Sequence, residues 1–535
     1  MNYSKEMQES IKKLEETRPY RLNKELERVR EEDKSYLLNT FHPDYNKEAF
    51  TTLCIGVNKG DKVPNELAKL LQGNSILLHN KINVDLSKID YDVDCLVIGG
   101  GGAGASACIE AKKNGANVLM VTKLRIGDCN TMMAEGGIQG VDKPNDSPCI
   151  HYLDAMGGSR YTSKPELLKT LVTNGPKALN WLESLGVMFD KDSNGEMITT
   201  HGGGTSRKRM HACKDTTGME IMRVLRDEVL NLNIPILDFT SAIELIKDID
   251  GKIAGAILQN METGEIMVAR AKTVILATGG AGRLHYQNFP TSNHYGATAD
   301  GLVLGYRVGA KLLYCDSLQY HPTGALFPAQ IYGALVTEKV RSVGAQLVNK
   351  NGEAFMFPLE TRDIATSLII RECRQNHNGV STDDGDGVWL DTPLIEMLNG
   401  EGTIEKRIPN MLRMYQKYGI DIRKEPILIY PTLHYQNGGI EINENGETNI
   451  KNLYVAGELA GGIHGRNRLM GNSLLDCIVF GRVCGQNASK DLNNIVIKDL
   501  TLNHIKDFDN EIKKANYLDG EPSPKLLPNY TRKVK

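Results

Sequence analysis

The run Gly99-Gly100-Gly101-Gly102-Ala103-Gly104 follows directly on an apolar stretch, residues 95–98, and limits what this chain can fold into more than any other feature. It fits G-x-G-x-x-G at the point where a strand should turn into a helix. There the first glycine (Gly99) turns the chain, the second (Gly101) lets a pyrophosphate approach the backbone, and the third (Gly104) lets helix and strand pack closely. The helix expected over 103–114 would present free amides and a positive dipole end to that phosphate. A second strand is expected at 118–122. NAD-binding units place an acidic ribose ligand at the end of that strand, but Thr122-Lys123 stands here, which weakens an NAD reading.

Two further glycine elements extend the pattern. Ala277-Thr278-Gly279-Gly280-Ala281-Gly282 follows the apolar run 273–276, and the run 453–458 leads through Glu458 into a glycine-rich stretch and then Asn472-Ser473-Leu474. Three separated elements of this kind imply an extended dinucleotide held along its length. The 53 glycines against 19 prolines, clustered in short runs, agree with backbone brought close to a cofactor.

At 535 residues the chain is too long for one ordinary core. The net charge of −3 and the absence of a basic stripe argue against a large nucleic-acid footprint. No stretch approaches a membrane span and the first residues are charged where a signal peptide is apolar, so a cytoplasmic protein is the expectation. The ten cysteines are scattered, without a C-x-x-C pair or a ferredoxin-like run. Neither an iron–sulfur cluster nor a zinc site is therefore expected in this chain, no metal is assigned, and onward electron transfer would need a second subunit.

Residues 1–90 read as an extension. Charge-rich residues 4–32 carry apolar points at Ile11, Leu14, Leu22, Leu26 and Val29 and are broken at Pro19, so two amphipathic helices or one kinked helix are expected. FHPDY at 41–45 and a short helix opened by Val63-Pro64-Asn65 follow. The extension reads either as a solvated layer on the core or as a partner-docking element. A hairpin is expected at Asp250-Gly251 and a last core helix over 472–486. Residues 316–432 look less strand-rich and inserted, and the polar tail 491–535 reads as an extended surface arm.

Further motifs accumulate in one order: Met133–Gly137 (MAEGG), Gln319–Gly324 (QYHPTG), Thr337–Arg341 (TEKVR), Thr361–Asp363 (TRD), Pro431–Gly439 (PTLHYQNGG) and His464–Asp476 (HGRNRLMGNSLLD). Together with the glycine elements, this set resembles the succinate dehydrogenase/fumarate reductase flavoprotein family, which includes L-aspartate oxidase. The resemblance covers most of 92–486. It implies an α/β fold, a Rossmann-like FAD-binding domain (91–315 and 433–490) interrupted by an α+β capping domain (316–432), with the helical N-terminal extension added.

The resemblance also implies roles. Gly99, Gly101, Gly104, Lys123, Asn130, Thr131, Glu135, Gly136, Gly137, Ala277, Thr278, Gly279, Asp300, Glu458, Asn472, Ser473 and Leu474 fall at FAD-binding positions, with Glu458 matching the acidic ligand of the adenosine ribose. His321, Thr337, His434 and Arg468 match residues that bind a dicarboxylate. Arginine suits that task because its planar fork makes paired, charge-assisted hydrogen bonds. Arg362 matches the proton donor opposite hydride attack, and Glu338 and Arg341 match its relay. Taken singly, His321 before Pro322 reads more readily as a packed histidine, and Arg362-Asp363 as an ordinary ion pair; recurring together in one ordered pattern, these readings lose.

Three departures shape the expectation. Asn130 stands where respiratory members carry the histidine that links FAD covalently, so a non-covalent FAD is expected. Gly202 is aligned with the position where aspartate oxidase places a glutamate against the substrate amine and fumarate reductases a bulky apolar group. It disfavours aspartate and leaves a gap for a larger unsaturated acid. The family's RGEGG reads Arg341-Ser342-Val343-Gly344-Ala345 here, and most of the large C-terminal helical domain of respiratory members has no counterpart. The leading expectation is a fumarate reductase or succinate-oxidising flavoprotein subunit with an iron–sulfur partner. L-aspartate oxidase, a reductase of another 2-enoate, and a flavin-binding protein without substrate chemistry are the alternatives.

Overall fold

The protein is described from a computed structural model, which covers residues 3–528. Strand Tyr91–Ile98 pairs in parallel with Val118–Val121 on one side and with Ile266–Leu276 on the other, and Leu453–Val455 continues the parallel order beyond Ile266–Leu276. In register, Ile98 lies beside Leu276 and Leu276 beside Val455. The three glycine elements leave these three strands at their carboxyl ends, so parallel pairing gathers them at one edge of the sheet, where α/β folds bind ligands. The expected hairpin at Asp250-Gly251 joins antiparallel strands Thr240–Asp248 and Ile253–Asn260, which extend the same sheet.

Helices Gly102–Lys113 and Asn472–Ala488 pack against each other over this sheet. A Cβ on Gly481 would lie 2.5 Å from the Ala103 carbonyl oxygen and one on Gly485 2.3 Å from that of Ala107. The four-residue glycine spacing thus places a bare helix face against its neighbour's backbone. Gly104 does the corresponding work at the turn, where its Cβ would fall 1.9 Å from the Gly99 carbonyl oxygen.

A second hydrophobic core surrounds an antiparallel sheet of Leu318–Ala325, Ile427–Gln436, Gly385–Asp391 and Gln346–Val348, with Val380–Thr382 on Gly385–Asp391. Region 316–432 is thus richer in strand than its sequence pattern implies. The alternation of its strands is interrupted by polar residues that the fold buries, such as His321 and Thr323.

The extension lies on the core as two helices, with the break between them after Arg21 and not at Pro19. Helix Lys5–Arg21 runs through Pro19, an extended segment follows, and a second helix occupies Glu31–Phe41. The first helix lies on the second core: Leu14 is fully buried, the Trp389 indole donates to Ser10 Oγ, and Arg18 and Arg21 both reach the fully buried Asp391. Residues 53–71 instead join the core of the larger sheet. The tail is not a surface arm as far as it is described. Ser523 is fully buried, donates to the Leu70 carbonyl and accepts from Arg307, and the Leu526 N–H reaches Asp300. Residues 529–535 lie outside the described residues.

Candidate active site

The gathered glycine elements open into a cleft. Gly99, Gly101 and Thr131 line its phosphate-facing turn, with the Gly102 N–H donating to Thr131 Oγ1 at 3.2 Å. Ala277, Thr278 and Gly279 form the adjoining wall, and Thr278 Oγ1 is a buried group without a partner inside the protein. Lys123 and Asp300 close one part of the rim through an ion pair of 2.6 Å. Asn130, Glu458, Ser473 and Leu474 line the cleft together with His434.

Asn130 is held from three sides. Its amide donates to Asn293 Oδ1 at 2.8 Å and to Glu458 Oε2 at 3.1 Å, and its oxygen accepts from the His294 N–H at 2.5 Å. The second Glu458 oxygen accepts from the Gln436 N–H, and burial raises the pKa of this carboxyl. Glu458 is therefore turned toward Asn130 and the strand carrying His434, at the cleft wall. Five expected cofactor residues lie off the cleft wall: Gly104, packed against the Gly99 backbone, and Glu135, Gly136, Gly137 and Asn472. The half-buried Glu135 faces Asn410 at 3.2 Å, Gly136 and Gly137 pack against Met470 and Met210, and Asn472 Oδ1 meets His151 Nε2 at 3.0 Å.

Beyond the His434 end of the cleft, buried charge concentrates. Arg362 is the first residue of helix Arg362–Arg374, where the helix dipole disfavours a cation. Glu338 offsets this: its Oε2 accepts from Arg362 Nε at 3.0 Å and lies 3.3 Å from Arg341 Nη2. Burial works to raise the Glu338 pKa, but Arg362 and Arg341, with the Gly203 N–H at 2.7 Å, outweigh it and hold the carboxyl below its usual range. Arg341 is fully buried and donates onward to the Pro358 carbonyl. The result is a line Arg362–Glu338–Arg341, hydrogen-bonded at its first step and ion-paired at its second, where Arg341 Nη2 has no hydrogen-bond partner.

Gln319 connects this line to Arg468. Its side-chain oxygen accepts from Arg362 Nη1 and from Arg468 Nη2, both at 2.9 Å. Arg468 also donates to Ser473 Oγ at 2.5 Å and lies 4.2 Å from the Tyr435 ring centroid, while its buried Nε has no acceptor. Burial, with Arg362 nearby, lowers its pKa to about 10. The His321 and His434 rings stand 5.1 Å apart. Burial first, and Arg362 second, push both well below the usual imidazole range, so both are neutral hydrogen-bond groups at neutral pH. Thr337, buried beside Glu338 in the chain, accepts from the Lys339 N–H.

The structure thus brings His321, His434, Arg341, Arg362, Arg468 and Glu338 into one buried cluster. The sequence reading gave no role to Gln319, which joins the two arginines, or to Ser292, whose hydroxyl lies 2.8 Å from His434 Nδ1. Gln319 stands inside the quoted QYHPTG motif, so its signal was present. Ser292 carries none. The gap expected at Gly202 is filled: a Cβ there would meet Met210 Cε at 3.0 Å, Thr205 Cγ2 at 3.6 Å and Met470 Cβ at 3.7 Å.

Residues 94–474 match the family model for an FAD binding domain. The chain belongs to that FAD-dependent oxidoreductase family. It is 38% identical over 412 residues to a fumarate reductase (CoM/CoB) subunit of Methanothermobacter marburgensis, covering 75% of this chain and 73% of the relative. Identity to L-aspartate oxidase of a Nostoc species is 35% over 410 residues, covering 74% and 68%. Among solved structures, a quinol-fumarate reductase determined with menaquinol molecules superposes with a TM-score of 0.72 at 31% identity, covering 79% of this chain and 75% of that one. The fold class and the FAD cofactor expected from the sequence both stand on these matches. Among the described residues, no helix is long and apolar enough to cross a membrane.

Proposed function

We propose that this chain is the flavoprotein component of a fumarate reductase-type enzyme, with residues 91–315 and 433–490 holding FAD without a covalent bond and 316–432 capping the substrate. One observation carries the reading: Arg468 has a buried, unpaired Nε beside Gln319 and Arg362, and Arg362 heads the line to Glu338 and Arg341. An unpaired buried donor on a cation is costly and calls for an acidic ligand. FAD held at the glycine turns of this cleft would supply hydride chemistry to the substrate. Arg468, with His321, His434 and Thr337, grips and orients the dicarboxylate. Arg362 delivers a proton to the carbon opposite the hydride, and Glu338 and Arg341 restore it from the far side.

Asn130 supports non-covalent FAD, since an amide is no nucleophile and this one is already engaged on three sides. Acid precipitation should release yellow flavin into solution; flavin kept in the pellet contradicts this point. The Methanothermobacter relative is a subunit by its name, which supports a partner subunit here, and the scattered cysteines of this chain leave an iron–sulfur cluster to that partner. Reduction of the alkene is the proposed direction.

L-aspartate oxidase is the second reading, favoured by the Nostoc relative. Against it, an ammonium needs a nearby counter-charge; Gly202 supplies none and Met210 fills the space around it. Anaerobic oxidation of reduced viologen by fumarate separates the two readings. Activity that is lost in Arg362→Ala, with FAD still bound, is expected. Hydrogen peroxide produced from L-aspartate, with no fumarate activity, overturns the proposal.

A further inference from the structure

The extension meets the reaction centre at three points, all close to Arg362 in the chain or in space. The Val29 N–H donates to Glu360 Oε1 at 2.7 Å, two residues before Arg362. Beside it, Arg28 lies 4.5 Å from the Phe357 ring centroid and donates to the Leu359 carbonyl at 3.4 Å. This is the loop whose Pro358 carbonyl accepts from Arg341.

One residue after Arg362, Asp363 Oδ2 accepts from Arg160 Nε at 2.9 Å and Nη2 at 2.5 Å, and Arg160 Nη1 donates to Tyr45 Oη at 3.1 Å. Finally, Asp44 Oδ2 accepts at 3.0 Å from the N–H of Leu318, the residue before Gln319. Burial lifts the Asp44 carboxyl to about 8, and its other oxygen is buried without a partner. Between these anchors, helix Glu31–Phe41 lies along helix Arg362–Arg374.

We propose that the N-terminal extension is a positioning element for the reaction: through Val29–Glu360 on one side and Asp44–Leu318 with Tyr45–Arg160–Asp363 on the other, it fixes the aim of Arg362 and Gln319. The proposal rests on the reading of Arg362 as proton donor. None of these extension residues touches the cofactor cleft, so their effect passes through Arg362 and Gln319. A proton donor must lie within hydrogen-bond reach of the carbon it serves, and a displacement of about 1 Å can cost about a hundredfold in rate. Freeing one end of a helix or one strand residue is a smaller perturbation than that.

The test uses the full chain with FAD bound, fumarate as oxidant and reduced viologen as donor. Glu360→Ala and Asp44→Ala each remove one acceptor of an extension-related N–H. Each is expected to lower kcat about tenfold, with the KM for fumarate little changed and a larger solvent deuterium isotope effect. Glu360→Gln and Asp44→Asn keep an acceptor oxygen and should restore most of the loss. Wild-type kcat and isotope effect in both alanine variants would overturn the proposal. So would a loss explained by FAD release or a lower melting temperature that Gln and Asn fail to correct. Arg362→Ala serves as the reference. If it is inactive with FAD bound while the alanine variants keep the full rate, positioning fails and the proton-donor reading stands. If Arg362→Ala itself stays active, both fail.

Discussion

The flavin cleft and the charged cluster at its end are built from different parts of the chain. The cleft is made largely of main chain: glycine turns at the carboxyl ends of three parallel strands, with side chains such as Lys123 and Asp300 closing the rim. The cluster is made of side chains: three arginines, two neutral histidines and one carboxylate, nearly all buried and joined through Gln319 and Glu338. A main-chain site tolerates changes of charge better than changes of volume, because its shape depends on close backbone approach. A side-chain site in low dielectric does the reverse, because removing one charge leaves its partner buried and unpaired.

Truncating Arg468 should give the largest effect. Arg468→Ala removes the unpaired Nε and leaves Gln319 holding Arg362 alone, so fumarate kcat/KM should fall by about 10²–10³, measured by viologen oxidation, with FAD retained. If the loss of kcat/KM comes with loss of FAD, the two regions are not separable in this way.

Gly104→Ala probes the opposite region. Its Cβ would fall 1.9 Å from a backbone oxygen that has little room to move, so a cost of about 3 kcal/mol is expected. Weaker FAD retention should accompany the lower melting temperature, even though no charge changes. Wild-type stability and FAD content would show that the turn yields.

Acid stability separates the regions through His151, whose Nε2 meets Asn472 beside the cleft helix. Burial, and then Arg209, lower its pKa from 6.5 to about 4. A histidine with a depressed folded value takes up a proton more readily when unfolded. Its stabilisation is complete above pH 6.5 and declines as pH falls from 6.5 toward 4. His151→Gln can keep a donor to Asn472 without titrating, so between pH 7 and 5 it should lose about 2 kcal/mol less than the wild type, read from denaturant midpoints. Equal losses would place the acid sensitivity elsewhere.

The smallest effect is expected at Gly202. Met210 Cε, the atom in the way, is the far end of a flexible side chain, so Gly202→Ala should cost about 1 kcal/mol. Most of that cost should vanish in a Met210→Ala background, a coupling that a double-mutant cycle measures. Additive costs would mean that Met210 does not fill this space.

Legibility followed the same division. The glycine spacing, the strand–turn–helix pattern and the hairpin at Asp250-Gly251 could be read directly, because each records a local demand on backbone conformation or close approach. The buried cluster could be read residue by residue only through ordered motifs, since nothing local says that His321 and His434, more than a hundred positions apart, stand with their rings 5.1 Å apart. The strands of 316–432 were under-read because tertiary burial overrides their mixed polarity. The gap expected at Gly202 ignored Met210, a neighbour that only the fold supplies.

The sequence by itself determined that this chain places three glycine turns at strand ends and so holds an extended dinucleotide, and its motif order assigned the FAD family. Only the tertiary structure decided that Gln319 joins Arg362 to Arg468, that Asn130 is engaged by Asn293, Glu458 and His294, and that helix Glu31–Phe41 packs along the helix headed by Arg362. Backbone conformation is a short-range property written into neighbouring residues. The pairing of buried charges depends on which distant segments share one desolvated space, and that is settled only when the chain folds.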